Sequence, residues 1–137
     1  MGLPGPAEYS LRMARRKAPL IWFDIPVTDF DRAEAFYKSL FGWDFTDVES
    51  DDEPYRLIDA GEESIDGGLS LRPVDAVPRE SGPVFYVHVN DIEVSILQAQ
   101  KLGGTLERPV TFLSRDAGVV ATIRDADGNV IGLWSEE

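Results

Sequence analysis

The stretch that decides the fold is Pro19-Leu-Ile-Trp-Phe-Asp-Ile-Pro-Val-Thr-Asp-Phe-Asp-Arg-Ala-Glu-Ala-Phe-Tyr-Lys-Ser-Leu-Phe-Gly-Trp43. Side chains alternate in polarity from Leu20 to Val27, which indicates a strand because successive residues of a strand point to opposite faces. From Asp29 onward the apolar residues recur every three or four positions, which indicates a helix, and Gly42 is typical of a helix stop. The stretch therefore predicts a strand, a tight turn and a helix.

The same pattern returns about sixty residues later. Residues 84–93 align with residues 22–31, so that Asp91 lies where Asp29 lies, and a second helix is predicted from Asp91 to Leu102, before Gly103. Two similar units in tandem indicate a duplicated module. The alternative, two unrelated strand-helix units that are alike by chance, stays open at this point.

Three further strands are predicted after each helix, which gives each module the order β-α-β-β-β. They are Phe45–Val48, Tyr55–Ala60 and Ile65–Arg72 in module one, and Leu106–Leu113, Gly118–Arg124 and Asn129–Trp134 in module two. We expect a flexible basic extension at residues 1–18 and a single domain at 19–136. Within the domain, module one is 19–72, a proline-rich linker is 73–83, and module two is 84–136.

Composition limits the possible functions. The chain has 137 residues, enough for one domain with its own core, and it contains no cysteine, which excludes disulfides and thiolate metal sites. The formal net charge is −12, and we expect no nucleic-acid partner because an acidic surface repels phosphate backbones. No apolar run approaches the roughly 20 residues of a membrane-spanning helix, and no signal-peptide pattern is present. We therefore expect a cytoplasmic protein with no membrane partner.

The run from Trp22 to Tyr37 that closes in Phe41-Gly42-Trp43, together with Asp125-Ala-Asp-Gly-Asn129, resembles the vicinal oxygen chelate superfamily. That group includes glyoxalase I, bleomycin resistance proteins and extradiol dioxygenases, and the resemblance covers residues 19–135. It implies an α+β fold in which two tandem β-α-β-β-β modules form curved mixed sheets around a cleft, with the helices on the outer face. Because one scaffold carries different chemistries, function has to be argued from the site.

The alternation of the strands predicts which side chains face the cleft. If Phe23, Ile25 and Val27 pack against the helix, the residues between them turn to the cleft, and the other strands follow the same rule. The candidate ligand-binding residues are Trp22, Asp24, Ser70, Arg72, Tyr86, His88 and Trp134. Aromatic walls with a few polar anchors are typical of a site for an apolar or planar small molecule. The alternative is that these aromatic residues fill a packed core.

The resemblance also implies where a metal ion would be held. Metal-dependent members use four His, Glu or Gln side chains, one on the first and one on the last strand of each module. The matching positions here are Trp22, Gly68, Val84 and Gly132, none of which is a metal ligand. A metal site needs several converging donors, and the chain has one histidine. We therefore predict no metal and no other cofactor.

Two residues, His88 and Asp24, are candidates for catalysis, because a carboxylate on the neighbouring strand would orient the imidazole as a general base. The alternatives are a structural histidine and an Asp24 that pairs with Arg72. The preferred hypothesis is a metal-independent small-molecule-binding protein of the glyoxalase/bleomycin resistance type. Two others stay open: a lyase, isomerase or dioxygenase of the same superfamily, and a structural or regulatory dimer whose clefts are filled by side chains.

The resemblance further implies a homodimer, since members of this length form two-fold dimers in which a module of one subunit completes the cleft of the other. We therefore expect Trp22 of one subunit near Tyr86 or His88 of the other. Such a dimer would have two equivalent clefts.

Overall fold

A computed structural model describes residues 17–48, 53–72 and 82–137. Within these ranges it has two helices and eight strands, and both modules have the predicted β-α-β-β-β order. The N-terminal extension, except for residues 17 and 18, and most of the predicted linker lie outside the described residues. The elements are β1 (Leu20–Val27), α1 (Phe30–Phe41), β2 (Asp44–Val48), β3 (Tyr55–Asp59), β4 (Gly67–Leu71), β5 (Val84–His88), α2 (Ile92–Lys101), β6 (Thr105–Ser114), β7 (Gly118–Arg124) and β8 (Val130–Ser135).

All eight strands belong to one mixed sheet with the order β2-β3-β4-β1-β5-β8-β7-β6, and this sheet does not close into a barrel. In each module the first strand pairs parallel with the last, β1 with β4 and β5 with β8. The two modules meet where β1 and β5 pair antiparallel, and Trp22 lies opposite Tyr86 there. These two residues therefore lie opposite each other within one chain, and the homodimer stays a prediction.

The pairing of the strands agrees with the repeat in the sequence. Asp24 lies opposite Gly68 in module one, and Tyr86 lies opposite Gly132 in module two. Asp24 is thus equivalent to Tyr86, as the alignment of residues 22–31 with 84–93 predicts. The two halves of the sheet are two copies of one structural unit.

Both helices begin and end for local reasons. Asp29 and Asp91 are extended, and each carboxylate accepts a hydrogen bond from the backbone N–H three residues later, which caps the first turn. Gly42 ends α1 with a φ of 74°, a conformation that favours glycine, and its N–H donates to the carbonyl of Lys38. The predicted helix bounds are confirmed to within one residue. Within the part of the chain that the structure describes, neither helix is long and apolar enough to cross a membrane.

The two helices cover one side of the sheet, which we call the helix face. Helix α2 packs there against β6, β7 and β8. Phe23 points to the same side, with its ring centre 5.7 Å from that of Trp43, and Trp43 in turn stacks on Tyr37 of α1 at 5.4 Å. The buried cluster under α2 consists of Ile92, Ile96, Val119, Ala121 and Leu133. The predicted alternation of helix-facing residues is confirmed.

Helix α1 is held to the sheet by an arginine as well as by aromatic rings. All twelve of its residues are described, and none of them is buried. Arg56 of β3 donates hydrogen bonds to Asp31 and Glu34 of α1, at 3.1 and 2.6 Å. It also donates to Asp47 of β2 at 2.5 Å, and its guanidinium carbon lies 5.0 Å from the ring centre of Phe30. One side chain thus joins α1, β2 and β3.

Candidate functional site

The opposite side of the sheet, which we call the open face, carries a hydrogen-bonded group of side chains at its centre. Asp24 of β1 comes next to Ser70 and Tyr55 because β4 pairs with both β1 and β3. The Tyr55 hydroxyl donates to Oδ1 of Asp24 at 2.6 Å, and the Ser70 hydroxyl donates to Oδ2 at 3.2 Å. The indole N–H of Trp22 donates to the Tyr55 hydroxyl at 2.9 Å. We call these four residues the Asp24 cluster.

Two glycines make room for tyrosine rings on the open face. A Cβ atom at Gly68 would lie 2.0 Å from the Cζ and hydroxyl oxygen of Tyr55, and one at Gly132 would lie 2.3 Å from the ring of Tyr86. Gly68 and Gly132 are equivalent in the two modules, whereas the tyrosines come from the different strands β3 and β5. Each module therefore has an aromatic ring lying directly over its last strand, and no larger residue fits beneath it.

Burial changes the acid–base properties of this region. It raises the pKa of Asp24 above its usual value of 3.8, although the hydrogen bonds from Tyr55 and Ser70 oppose that shift. Burial also raises the pKa of Tyr55, and the negative charge of Asp24 adds to the effect. The pKa of Tyr86 is raised as well, first by burial and then by Asp24. The cluster therefore contains a carboxylate that takes up a proton more readily than an exposed one and a phenol that stays protonated.

We expect replacement of Asp24 by asparagine to change the pH dependence of stability. Because the pKa of Asp24 is raised by folding, the stability that this group contributes is fully present below 3.8 and is lost as pH rises through the folded pKa. The asparagine side chain does not ionise, and its amide oxygen can still accept the hydrogen bond from the Tyr55 hydroxyl. The free energy of unfolding of D24N, relative to the unchanged protein, should therefore rise in chemical denaturation as pH increases above 3.8, and it should level off above the raised pKa of Asp24.

Asp125 provides a control of opposite sign. Hydrogen bonds from Asn129 lower the pKa of Asp125 below its usual value of 3.8. D125N should therefore lose stability relative to the unchanged protein as pH rises from the lowered pKa to 3.8, and the difference should stay constant at higher pH. Equal pH dependence in D24N and the unchanged protein would contradict the raised pKa of Asp24.

The module-two half of the open face has its own polar group. Thr122 lies opposite Gly132, and its hydroxyl donates a hydrogen bond to the Glu107 carboxylate of β6. The positive charge of Arg108 favours the ionised forms of both Asp24 and Tyr86. The open face thus presents acidic and basic side chains around the two tyrosine rings.

His88 lies away from Asp24. Asp24 is opposite Val84, and His88 is four residues further along β5, about 13 Å away at the rise of a strand. The His88 ring instead lies 4.8 Å from the ring of Trp134, whose indole N–H donates to the carbonyl of Ala117 at 2.6 Å. The structure therefore corrects the predicted pairing of His88 with Asp24 as a general base.

Arg72 is placed at a groove beside α1. It follows β4 and lines a groove of about 310 Å³ between α1 and the end of β1, together with Thr28, Arg32 and Phe36. The observed partners of the Asp24 carboxylate are Tyr55 and Ser70. Of the seven predicted cleft residues, hydrogen bonds link three. Trp22 is linked to Asp24 through the Tyr55 hydroxyl, and Ser70 is bonded to Asp24 directly. The structure places Tyr86 beside Trp22, and His88 beside Trp134.

Sequence reasoning missed four residues of the open face. They are Tyr55, Glu107, Arg108 and Thr122. The signal for Tyr55 was available, since it is the first residue of a predicted strand in the same module as Gly68, and a glycine within a strand often marks a close approach by another group. No comparable signal marked Glu107 or Arg108, because β6 pairs irregularly with β7.

Comparison with known proteins decides the family. The model for the Glyoxalase/Bleomycin resistance protein/Dioxygenase superfamily matches residues 20–133. The chain belongs to this superfamily. Among curated proteins, it is 30% identical over 117 residues to the putative glyoxylase CFP32 of Mycobacterium bovis, a match that covers 82% of this chain. It spans 44% of the length of that relative. A glyoxylase-like domain-containing protein of Didymella fabae is 30% identical over 110 residues, which cover 77% of this chain and 84% of the relative.

Solved structures of other proteins share the fold. Methylmalonyl-CoA epimerase from Mycobacterium tuberculosis aligns with a TM-score of 0.62 and 20% identity, over 86% of this chain and 87% of that one. A hypothetical protein from Bacillus halodurans aligns with a TM-score of 0.67 and 17% identity, over 89% of this chain and 96% of that one. At these identities the likeness concerns the fold alone.

The residues at the four positions that the resemblance assigns to a metal ion do not fit a divalent ion. The indole N–H of Trp22 is a donor already directed at Tyr55, and Val84 has no ligating atom. The rings of Tyr55 and Tyr86 lie over Gly68 and Gly132. Among the residues that the structure describes, no group of three or more His, Cys, Asp or Glu side chains converges as a metal site would require.

Proposed function

We propose that this protein is a metal-independent, small-molecule-binding member of the superfamily, and that it holds an apolar or planar ligand on the open face beside the Asp24 cluster. The observation that carries the proposal is the placement of the Tyr55 and Tyr86 rings over Gly68 and Gly132. Aromatic surface thus replaces the side chains with which metal-dependent members hold their ion. The open face offers aromatic rings and one partly buried carboxylate to a ligand.

The chemistry of the cluster defines what such a ligand carries. Trp22 and Tyr86 lie opposite each other on β1 and β5, so they offer neighbouring surfaces for stacking a flat molecule. Each oxygen of Asp24 receives one hydrogen bond, whereas a carboxylate oxygen has two acceptor sites. The carboxylate can therefore also accept a hydrogen bond from an amide, amine or hydroxyl group of the ligand. We propose a planar ligand with at least one such donor.

A second candidate function is supported by the raised pKa of Asp24. A partly buried carboxylate whose pKa is raised suits proton transfer, and Tyr55 keeps it oriented through a hydrogen bond of 2.6 Å. This favours a metal-free isomerase or lyase in which Asp24 takes and returns a proton. A dioxygenase has no comparable support, since the residues at the metal positions do not fit an ion.

A thermal-shift screen tests the binding proposal. Zinc, nickel, iron(II) and manganese at micromolar concentration should leave the melting temperature unchanged, whereas planar compounds with a hydrogen-bond donor should raise it by linkage. For a compound that binds, W22A should weaken the affinity by about 5- to 150-fold, because a stacking wall contributes roughly 1–3 kcal/mol.

Phe112 supplies the control for that variant. Its side chain is 67% exposed on β6 and pairs with Val119 on the helix face, so F112A should leave the affinity unchanged. Saturable stabilisation by one metal ion would contradict metal independence. Equal affinity in W22A and the unchanged protein would place the ligand away from the Asp24 cluster. Turnover that D24N abolishes while binding persists would favour the isomerase or lyase.

A further inference from the structure

Strand β6 has a bulge at the edge of the open face. The pairing of β6 with β7 shifts after Leu106, so that Glu107 is an extra residue and shares the place opposite Thr122 with Arg108. In a regular strand, two neighbouring side chains would point to opposite faces. Here the Thr122 hydroxyl donates to the Glu107 carboxylate, and Arg108 is the direct partner of Thr122 in the ladder. The bulge therefore brings an acid and a base together on the open face.

Module one has no such bulge at the equivalent place. Leu57 is equivalent to Thr122, because each lies opposite the open-face glycine of its module. The partner of Leu57 on β2 is Thr46 alone, since the ladder between β2 and β3 has no register shift. The fold of a module thus needs neither the bulge nor its two charges. Bulges often occur next to active sites, where they redirect side chains, so this one indicates a role in ligand recognition.

The two charged groups of the bulge act on the residues of the proposed ligand site. Burial is the main cause of the raised pKa of Asp24 and of Tyr86. The positive charge of Arg108 opposes both shifts, and the negative charge of Glu107 adds to that of Tyr86. Since charge interactions weaken with distance, both groups lie near the Tyr86 ring. Among the described residues, no carboxylate forms an ion pair with Arg108.

We infer that Glu107 and Arg108 are specificity-determining residues, and that they select a planar ligand with adjacent ammonium and carboxylate groups, an aromatic amino acid or a close analogue. The ammonium group of this ligand binds Glu107, and its carboxylate binds Arg108. The ring stacks beside Tyr86, and a donor on the ring is available to Asp24. The inference rests on the proposed function, because it names the ligand class of the same site.

Ligands with a single charge fit this pair of residues less well. A guanidinium has five N–H donors and no acceptor, so Arg108 matches a carboxylate and repels an ammonium group. A carboxylate only accepts, so Glu107 matches an ammonium group and repels an anion. An amino acid carries both groups on neighbouring atoms, as the bulge carries both partners on neighbouring residues. It therefore pairs with each of them at once.

A series of compounds with one indole ring tests the charge class. Tryptophan carries both charged groups, tryptamine only the ammonium group, indolepropionate only the carboxylate, and indole neither. In calorimetric titration, tryptophan should bind at least about 10-fold more tightly than each of the others, because each loses at least one charge-assisted hydrogen bond.

Variants of the bulge assign each charged group to its partner. R108Q should weaken tryptophan binding by about 10-fold or more without weakening tryptamine binding, since tryptamine has no carboxylate. E107Q should weaken the binding of both amines without weakening that of indolepropionate. R115Q is the matched control, because Arg115 lies in the turn between β6 and β7. It should leave all the affinities unchanged.

The outcomes separate this inference from the proposed function. If planar compounds bind but tryptophan binds no better than indole or not at all, the inference is wrong and the proposed function stands. If no planar compound binds, both are wrong. Equal losses for tryptophan and tryptamine in R108Q would show that Arg108 supports β6 rather than a ligand carboxylate, which would also overturn the inference.

Discussion

Replacing Gly68 by alanine is expected to lower the free energy of unfolding by about 2–6 kcal/mol. A Cβ at this position would lie 2.0 Å from the Tyr55 ring, so the ring has to leave its place. Its hydroxyl then no longer donates to Asp24 at 2.6 Å, and a buried carboxylate oxygen loses its partner. The lost ring packing and the unsatisfied oxygen each cost on the order of 1–3 kcal/mol. Urea denaturation of G68A and of the unchanged protein measures the difference in their free energies of unfolding.

A double-mutant cycle shows whether displacement of the Tyr55 ring causes the loss of stability in G68A. Val120 is the module-two residue equivalent to Tyr55, because Val120 lies opposite Trp134 as Tyr55 lies opposite Ser70. Y55V is therefore a background in which a valine replaces the ring, and there G68A should cost less than about 1 kcal/mol. A Cβ atom at Gly82 would have no neighbour within 4 Å, so G82A serves as the matched control without a clash. Additive effects of G68A and Y55V would contradict the ring placement.

Replacing Arg56 by methionine should cost about 2 kcal/mol and should loosen α1 in particular. Methionine keeps an apolar stem over Phe30 but removes every charge-assisted hydrogen bond to Asp31, Glu34 and Asp47. The contact with Glu34 dominates, because Asp31 and Asp47 are 90% and 73% exposed and water screens their charges. Glu34 is 32% exposed, so it would lose its partner in a partly buried place.

Hydrogen exchange locates that effect. Since α1 buries none of its residues, its amides should exchange faster in R56M, while the amides of α2 should be unchanged. R56K is the control. Lysine keeps the positive charge but lacks the planar guanidinium that bonds several carboxylates at once, so its loss of stability should lie between that of the unchanged protein and that of R56M. Uniform acceleration across both helices would show that Arg56 stabilises the whole sheet rather than α1.

The sequence predicts most of the fold because its signals are local. The starts of the helices at Asp29 and Asp91, the stop at Gly42 and the alternation of β1 each depend on neighbouring residues, and each is confirmed. Gly128 has the positive φ expected of its turn, at 90°. The repeat adds a second copy of each signal. These features need no knowledge of which strands pair.

The site is predicted less completely because it depends on strand pairing. Tyr55 meets Asp24 only because β3 pairs with β4 and β4 with β1. No residue near Tyr55 in the sequence indicates this order of strands. Alternation along β5 puts His88 on the same face as Tyr86, but the antiparallel direction of β5 carries it away from Asp24. The pattern of β1 and β5 is also the same whether they pair within one chain or between two, so the sequence does not distinguish those cases.

The irregular pairing of β6 with β7 makes this edge of the sheet less prone to aggregation. An open sheet ends in unpaired backbone groups, and a long, flat strand there would recruit strands from other molecules. Strand β6 has ten residues, but its pairing with β7 shifts at three points, and Pro109 lacks an N–H to donate. Such shifts twist a strand and break the row of donors that an added strand would need. At the other end, the short β2 carries exposed Asp44 and Asp47. Both ends of the sheet are thus poor templates for fibril growth.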